Sequence, residues 1–345
     1  MQRLYERGGL PDSSELLEGF GHWLSFLVSL VKSKPELVIL AGYGDRFTNC
    51  TLIWAFLARL KFYFWSDTNL LDVWGQSSLK RFFKKLLLKP IFSRATRLLY
   101  IGSRNRDYWI WFLGKQRVQK KLYHMAYPAL LTNEDGSGAP RCRQDSEKFT
   151  IISLGRLEPI KAVDKLLEAV SLLGPELRGA LRLDIYGTGS EENNLKTLAE
   201  KLGLTEIVAF HGAIPSNQVA QAYSRADLFV LTSNVEPWGL VVNEALSEGV
   251  PVICPYWVGA ATDLVLDGLT GYVLEDNEPR TIASGIERAW RDRKTITSLG
   301  DCGRALVRNG PWNSEAVTTR LLQLVDTVIE NPQQNNSYEH RQTHR

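Results

Sequence analysis

The stretch from Leu228 to Glu248, LFVLTSNVEPWGLVVNEALSE, constrains the fold more than any other part of the chain. A strand-compatible apolar run is broken by Pro237 and Gly239, and a helical pattern follows at once. In an open parallel sheet such a junction lies at the carboxyl ends of the strands, where ligands bind. The new helix also presents unpaired backbone N–H groups there. The stretch therefore predicts a parallel α/β sheet with an anion site at its rim.

Two glutamates lie at this junction, Glu236 in the loop and Glu244 in the helix. Glu244 follows Gly239 by five residues, which places it within roughly 8 Å of the helix start. Carboxylates accept hydrogen bonds from hydroxyls, so one glutamate can hold a ribose and the other a hexose. Backbone N–H groups of Gly239, Leu240 and Val241 would then hold a diphosphate between them. The alternative is that Glu236 is a loop charge and Glu244 a solvated helix residue.

The second half of the chain resembles the retaining glycosyltransferases of family 4. The paired glutamates, with seven residues between them, match a family motif, and so does the segment SLGRLEPIKAVDKLLEAV from Ser153 to Val170. The resemblance implies the GT-B architecture, an α/β fold of two Rossmann-like doubly wound domains that face a cleft. It implies that Arg156 and Lys161 grip the diphosphate of a nucleotide-sugar donor. By the same resemblance, no metal or cofactor is needed.

The sequence around the two cations agrees with that role. Arg156 follows an apolar run, and Gly155 permits a sharp backbone turn at the sheet rim. Lys161 precedes an amphipathic helix. An ordinary surface pair is the alternative. We therefore interpret Arg156, Lys161 and Glu236 as catalytic residues, with Glu236 on the sugar and Glu244 on the ribose.

Further βα turns extend the pattern. Gly187 and Gly189 come directly after the strand-like run LRLDIY. A G-x-G sequence indicates a nucleotide-binding turn only when it follows a strand in this way. We therefore expect both glycines to contact the donor. By resemblance, His211 lies near the nucleobase, and a packed strand-end histidine is the alternative. The next loop has Ala260 and Asp263 where the family usually has a glycine and a glutamate.

The first half of the chain is expected to form the acceptor-side domain. The sequence predicts strands over 37–41, 62–66 and 98–101, and helices over 14–30, 48–60, 79–88 and 107–112. Because no opening strand with a glycine-rich loop comes first, we expect a shortened domain. Asp67, after the second predicted strand, is a candidate for contact with the acceptor or the departing sugar. A loop aspartate in an Asx turn is the alternative.

Chain length and polar stretches suggest the domain boundaries, since 345 residues exceed what one core usually holds. We expect the acceptor-side domain over 1–131 and a polar linker over 132–148. The nucleotide-sugar-binding domain would cover 149–310, a helix over 311–330 would cross back to the first domain, and the tail over 331–345 would be disordered.

A basic segment runs from Leu79 to His124, with thirteen Lys and Arg residues and one acidic residue, Asp107. Within it, LKRFFKKLLLKPIF has apolar residues at helical spacing, which predicts a cationic helix on an anionic membrane surface. The alternative is a helix whose apolar stripe faces the core. No nucleic-acid-binding motif accompanies the segment, so nucleic acid is not an expected partner.

Other features narrow the class of protein. No run approaches the roughly 20 apolar residues of a membrane-spanning helix. The four cysteines and five histidines lack metal-ligand spacing, and the cysteines are expected to be reduced in the cytoplasm. A cytoplasmic location is expected, with peripheral binding to the inner face of the membrane as an option.

Together these observations predict a metal-independent, retaining glycosyltransferase. It would move a hexose-type sugar from a nucleotide-diphosphate sugar to a glycan or lipid-linked acceptor, in cell-surface polysaccharide or lipopolysaccharide synthesis. Two alternatives stay open. One is a non-catalytic nucleotide-sugar-binding partner subunit of a transferase, and the other is a different GT-B enzyme, such as a nucleotide-sugar epimerase or a phosphorylase.

Overall fold

The computed structural model describes residues 35–42, 46–75, 77–129 and 148–329, together with Ser25, Val28 and Lys32. These residues form two α/β units, each built on a parallel sheet, as the sequence predicts. Three predicted segments lie outside the described residues: the helix over 14–30 apart from Ser25 and Val28, the linker over 132–148 apart from Lys148, and the tail over 331–345.

The first sheet has four parallel strands in the order β1-β2-β3-β4. They are β1 (Leu37–Ala41), β2 (Lys61–Ser66), β3 (Arg97–Tyr100) and β4 (Leu122–His124). The helices of this unit are α1 (Arg46–Leu57), α2 (Leu70–Trp74), α3 (Ser78–Arg94), α4 (Ser103–Leu113) and α5 (Lys115–Val118). Aromatic rings fill its core: the buried ring of Phe64 lies 4.7 Å from Phe92 and 5.9 Å from Trp109, centroid to centroid.

The second sheet has six parallel strands in the order β10-β9-β8-β5-β6-β7. They are β5 (Phe149–Leu154), β6 (Leu181–Tyr186), β7 (Val208–Phe210), β8 (Leu228–Val230), β9 (Val252–Pro255) and β10 (Gly271–Leu274). Their nearly continuous apolar runs are typical of parallel strands, which are buried on both faces. The strand order reverses between the neighbours β5 and β8.

Helices follow the strands of the second sheet along the chain. They are α6 (Val163–Leu172), α7 (Pro175–Gly179), α8 (Glu192–Lys201), α9 (Val219–Ser224), α10 (Leu240–Ser247), α11 (Ala261–Leu264), α12 (Pro279–Arg291), α13 (Ile296–Asn309) and α14 (Ser314–Ile329).

The elements of the first unit lie close to their predicted positions. The prediction for β1 is confirmed, and β2 and β3 each begin one residue earlier than predicted. The predicted end of the basic helix at Leu88 is wrong, because α3 continues through Pro90 to Arg94. Phe92, beyond the proline, is fully buried, so its packing offsets the backbone hydrogen bond that proline removes. The sequence reading also missed β4.

Loops at the carboxyl ends of strands in the two sheets contact each other. After β3, the backbone N–H and hydroxyl of Ser103 donate to the carboxylate of Asp263, after β9, at 2.9 and 2.6 Å. After β2, Nδ2 of Asn69 donates to the carbonyl of Pro237, after β8, at 3.4 Å. The rims of the two sheets therefore face each other across a cleft.

The last described helix, α14, contacts the first unit. The hydroxyl of Ser314, at the start of α14, donates to the carbonyl of Ala129 at 3.1 Å. Farther along α14, Nη1 of Arg320 lies 2.9 Å from Nδ1 of His124, at the end of β4. The chain thus returns to the first unit after completing the second.

Candidate functional site

The carboxyl ends of β5 and β8 form the centre of the site. In an open parallel sheet, ligands bind in the crevice where the strand order reverses, and it reverses between these two strands. A pocket lies there, and both predicted cations, Arg156 and Lys161, line it. The other lining residues are Ser153, Leu154, Gly155, Leu157, Val163, Tyr186, Leu231 and Thr232.

Local backbone geometry fixes the position of Lys161. It ends a short 3-10 turn, Pro159–Lys161, which lies between β5 and α6. Ala162 follows with a left-handed φ of 49°, which residues other than glycine rarely adopt. The Thr232 hydroxyl, after β8, donates to the carbonyls of Lys161 and Ala162 at 3.0 and 2.9 Å. These two contacts of the Thr232 hydroxyl connect the turn to β8 and stabilise the unusual conformation of Ala162.

Lys161 pairs with Glu236, the first of the two predicted glutamates. Nζ of Lys161 lies 2.5 Å from Oε2 of Glu236, and the two side chains are 20% and 13% exposed. The hydroxyl of Ser233 donates to the same carboxylate oxygen at 3.1 Å. The structure therefore places Arg156 and Lys161 on one pocket and pairs Glu236 with Lys161, while their catalytic roles stay predictions.

A buried network that the sequence reading missed supports the loop carrying Glu236. Nδ2 of Asn277 donates to the Thr232 carbonyl at 2.9 Å and to Oδ1 of Asn234 at 2.8 Å. Nε1 of Trp257 donates to the carbonyl of Ser233 at 2.8 Å. Thr232 and Ser233 could have been found from the sequence, because they are polar residues placed directly after a buried strand.

The N-terminus of α10 opens beside Glu236. Gly239 caps this helix with a left-handed φ of 96°, and a β-carbon there would lie 3.2 Å from Cγ of Glu236. The first N–H groups of a helix have no partner within it, so those near Gly239, Leu240 and Val241 are available to an anion. The site thus combines two side-chain cations with a helix N-terminus.

Glu244 lies one turn into α10, in a different environment. Burial raises the pKa of its carboxyl. Its charge contributes to the raised pKa of the Tyr223 phenol, for which burial is the main cause. Within the described parts of the chain, no hydrogen bond or ion pair joins Glu244 to Lys161 or Glu236. The predicted contact of Glu244 with a ribose stays a prediction.

A family model matches part of the second half of the chain. Residues 141–305 match the model of the group 1 glycosyl transferases. This part of the chain is therefore similar to that family.

Curated relatives of this part of the chain include the D-inositol 3-phosphate glycosyltransferase of Streptomyces avermitilis. It is 33% identical over 198 residues, which are 54% of this chain and 42% of that protein. The chain spans about two fifths of the length of this relative.

Solved structures show the same fold over nearly the whole chain. Sucrose-phosphate synthase from Thermosynechococcus elongatus aligns with a TM-score of 0.70 and 19% identity, covering 93% of this chain and 81% of the other. HepE from Anabaena in complex with UDP-glucose aligns with a TM-score of 0.65 and 19% identity, covering 85% and 78%. The prediction of a GT-B fold is thereby confirmed.

The two glycines of the second unit that are predicted to contact a donor lie where loops pack closely. A β-carbon at Gly187 would lie 1.8 Å from the carbonyl oxygen of Gly155, and one at Gly189 would lie 2.3 Å from that of Leu157. The N–H of Leu157 also donates to the carbonyl of Thr188 at 2.9 Å. These glycines therefore let the loop after β6 support the backbone around Arg156.

His211 lies at the same edge of the second unit, next to the pocket. Its ring stacks on Tyr186, a pocket residue, with 4.4 Å between ring centroids. Nε2 of His211 lies 2.7 Å from Oδ1 of Asp184. These contacts agree with the packed strand-end alternative, and a contact between His211 and a nucleobase stays a prediction.

Asp67 follows β2, on the side of the cleft that the first unit forms. Burial raises the pKa of its carboxyl, and the charge of Glu236 adds to the rise. Asp67 and Glu236 therefore lie close enough to interact across the cleft. Over the described ranges, no group of three or more His, Cys, Asp or Glu side chains could hold a metal ion.

Proposed function

We propose that this protein is a metal-independent, retaining glycosyltransferase. Its donor is a nucleotide-diphosphate sugar, and it transfers a hexose-type sugar to a glycan or lipid-linked acceptor. The grouping of Arg156, Lys161 and Glu236 at the point where the strand order reverses carries this proposal. A role in cell-surface polysaccharide or lipopolysaccharide synthesis follows from such an acceptor.

The proposed transfer breaks the bond between the anomeric carbon and the diphosphate oxygen. A bond from the same carbon to the acceptor oxygen forms on the same face of the sugar. Negative charge grows on the leaving diphosphate, and Arg156, Lys161 and the N-terminus of α10 stabilise it. The departing phosphate oxygen takes the proton of the acceptor hydroxyl, so the chain need not supply a strong base.

The carboxylates bind the neutral parts of the donor in this mechanism. Glu236 accepts hydrogen bonds from sugar hydroxyls and Glu244 from ribose hydroxyls. Asp67, whose pKa the charge of Glu236 helps to raise, would orient the acceptor in this mechanism. Because Arg156 and Lys161 supply the positive charge on the diphosphate, we expect transfer to continue in the presence of EDTA.

The similar proteins suggest which donors and acceptors to test first. HepE is solved with UDP-glucose, which favours uridine diphosphate sugars as donors. The name of the Streptomyces relative includes inositol 3-phosphate, which makes that compound an acceptor to compare with lipid-linked glycans.

Thermal stabilisation by nucleoside diphosphates and their sugars tests donor binding without knowledge of the acceptor. A ligand at 100 times its Kd stabilises a one-site protein by about 2.7 kcal/mol. We expect one nucleotide class to raise the melting temperature of the wild type, and Lys161→Ala to reduce that rise. Lys196→Ala, which removes a surface ion pair on α8, is the matched control and should keep it.

Donor turnover then separates the candidate functions. Release of nucleoside diphosphate with transfer to an acceptor supports the glycosyltransferase. Binding without turnover on any donor and acceptor pair would instead identify a non-catalytic nucleotide-sugar-binding subunit. Failure of every nucleoside diphosphate and sugar to stabilise the wild type would overturn both.

A further inference from the structure

Helix α3 presents an apolar face to solvent. Leu79, Phe82, Phe83, Leu86 and Leu87, which we call the outer face of α3, are each between 50% and 67% exposed. The alternative that this stripe faces the core is therefore wrong. Exposed apolar patches of this kind mark interaction surfaces rather than ordinary solvent-facing positions.

The charged residues between positions 79 and 90 of α3 lie beside the outer face rather than on it. At 3.6 residues per turn, the five apolar side chains cover an arc of about 140° around the helix. Over residues 79–90, no charged residue falls within that arc, and Lys80 and Lys89 lie at its two borders. An ordinary surface helix has the reverse arrangement, with its polar residues outward and its apolar stripe inward.

The opposite side of α3 is already fixed against the first unit. Phe92 is fully buried, and Nζ of Lys85 donates to the carbonyl of Trp111 at 3.3 Å and lies 4.4 Å from the Trp111 ring centroid. Nζ of Lys84 lies 6.0 Å from the ring centroid of Tyr108. Rotating α3 to bury its outer face would break these contacts.

We propose that the outer face of α3 docks on a lipid bilayer that contains anionic lipids. Apolar side chains of such a helix enter the boundary between headgroups and acyl chains, while the bordering lysines bind lipid phosphates. The chain has no Asp or Glu from residue 73 to residue 106, so nothing in this segment repels an anionic surface.

Charge complementarity favours a bilayer over a second copy of the chain. Two outer faces packed together would bring the lysine borders of both copies close, and like charges repel. Six Lys and Arg residues lie on α3 with no acidic residue to pair with them across such an interface. An anionic lipid surface instead complements Lys80 and Lys89 at the borders of the outer face.

The position of α3 suits the transferase, and this step rests on the function proposed above. In a βα unit the helix region after a strand begins at the carboxyl end of that strand, and β2 ends at the cleft. With 17 residues, α3 extends about 25 Å away from that end. Docking through its outer face would hold the cleft near the membrane, where a lipid-linked acceptor is presented.

Cosedimentation of the full chain with vesicles tests the surface. We expect binding to phosphatidylcholine vesicles that contain about one third phosphatidylglycerol, and much weaker binding to pure phosphatidylcholine or at high salt. Phe82→Gln combined with Leu86→Gln should weaken partitioning by about ten-fold or more. Lys80→Gln and Lys89→Gln should each weaken it by about five-fold. Leu172→Gln, at an exposed leucine of α6, is the matched control and should bind as the wild type does.

Each outcome decides the proposal. It is overturned if the wild type does not bind anionic vesicles, or if the Phe82 and Leu86 double variant binds as tightly as the Leu172 control. A concentration-dependent dimer that this double variant abolishes, without vesicle binding, would identify a second copy as the occupant instead. Without vesicles, a nucleotide should raise the melting temperature of these variants as much as it raises that of the wild type. A loss of membrane binding can therefore be distinguished from a loss of donor binding.

Discussion

Nζ of Lys161 lies 2.5 Å from Oε2 of Glu236, and this ion pair joins the loop after β5 to the loop after β8. The two loops flank the point where the strand order reverses, so the pair crosses the crevice in which a ligand would lie. Both side chains are mostly buried, and the Ser233 hydroxyl also holds the carboxylate. A donor diphosphate bound by Lys161 and a sugar bound by Glu236 would thus be placed next to each other.

Lys161→Ala and Glu236→Ala are each expected to lower turnover by about 100-fold or more, because each removes a charge placed at the reacting groups. Both variants should keep the fold, which circular dichroism can check. Turnover is measured as release of nucleoside diphosphate from the donor that stabilises the wild type. Lys196→Ala should leave turnover unchanged and lower the free energy of unfolding by less than about 1 kcal/mol. Wild-type turnover in either site variant would remove the pair from the mechanism.

The sequence predicts Arg156, Lys161 and Glu236 as site residues, because each lies shortly after an apolar strand and the family motif marks its position, and the structure places them near one another. It cannot reveal the residues that support them. Asn277 bonds to Thr232, 45 residues earlier, and nothing in the surrounding letters marks its burial. Such contacts depend on how distant loops meet after folding.

The glycines after β6 illustrate the same limit. Their spacing suggests a ligand contact, and the structure shows that their lack of side chains lets the loop after β6 approach the loop after β5. The outer face of α3 is a second case, because helical spacing predicts an apolar stripe but not the side from which the core approaches it. Only packing distinguishes the two directions.

Gly187→Ala is expected to destabilise the second unit strongly. The added β-carbon would lie 1.8 Å from the Gly155 carbonyl oxygen, and φ at this position is +133°, which is unfavourable for alanine. Overpacking of this kind costs about 1–3 kcal/mol or more.

Gly179→Ala is the matched control for that substitution. Nothing lies within 4 Å of its added β-carbon, and the residue is at the end of α7. Alanine at this position should leave the free energy of unfolding unchanged or raise it by up to about 1 kcal/mol. Chemical denaturation of both variants measures the difference, and equal midpoints would contradict the packing role of Gly187.

The contact between Ser103 and Asp263 is expected to hold the two units together. Asp263 accepts the first backbone N–H of α4 from the other side of the cleft, so it caps that helix in place of a local side chain. Asp263→Ala should lower stability by about 1 kcal/mol and increase the radius of gyration measured by small-angle X-ray scattering.

Ser103→Ala is the control for the Asp263 substitution. It removes the hydroxyl but keeps the backbone N–H that Asp263 accepts, so its effect should be smaller. If Ser103→Ala and Asp263→Ala open the cleft equally, the hydroxyl rather than the helix cap carries the contact.

The contact between His124 and Arg320 is expected to make stability depend on pH. Burial lowers the pKa of His124 below its ordinary value of 6.5, and the charge of Arg320 lowers it further, while the bond to the Ile101 carbonyl and the charge of Asp263 oppose the shift. Nε2 lies 3.0 Å from that carbonyl and Nδ1 lies 2.9 Å from Nη1 of Arg320. A neutral ring satisfies both contacts by donating from Nε2 and accepting at Nδ1.

The direction follows from proton binding in the two states. In the unfolded chain His124 takes a proton as pH falls through 6.5, whereas in the folded protein it resists protonation until lower pH. The unfolded state therefore binds more protons just below pH 6.5. The contribution of neutral His124 to the free energy of unfolding is complete above about pH 6.5 and is lost as pH falls below it.

Melting temperatures from about pH 8 to pH 5 should fall more steeply for the wild type than for His124→Gln, which cannot titrate. Hydrogen exchange in α14 should also rise at the acidic end in the wild type, because protonation of Nδ1 would break the contact with Arg320. Parallel pH profiles of the two proteins would show that this histidine does not control the attachment of α14.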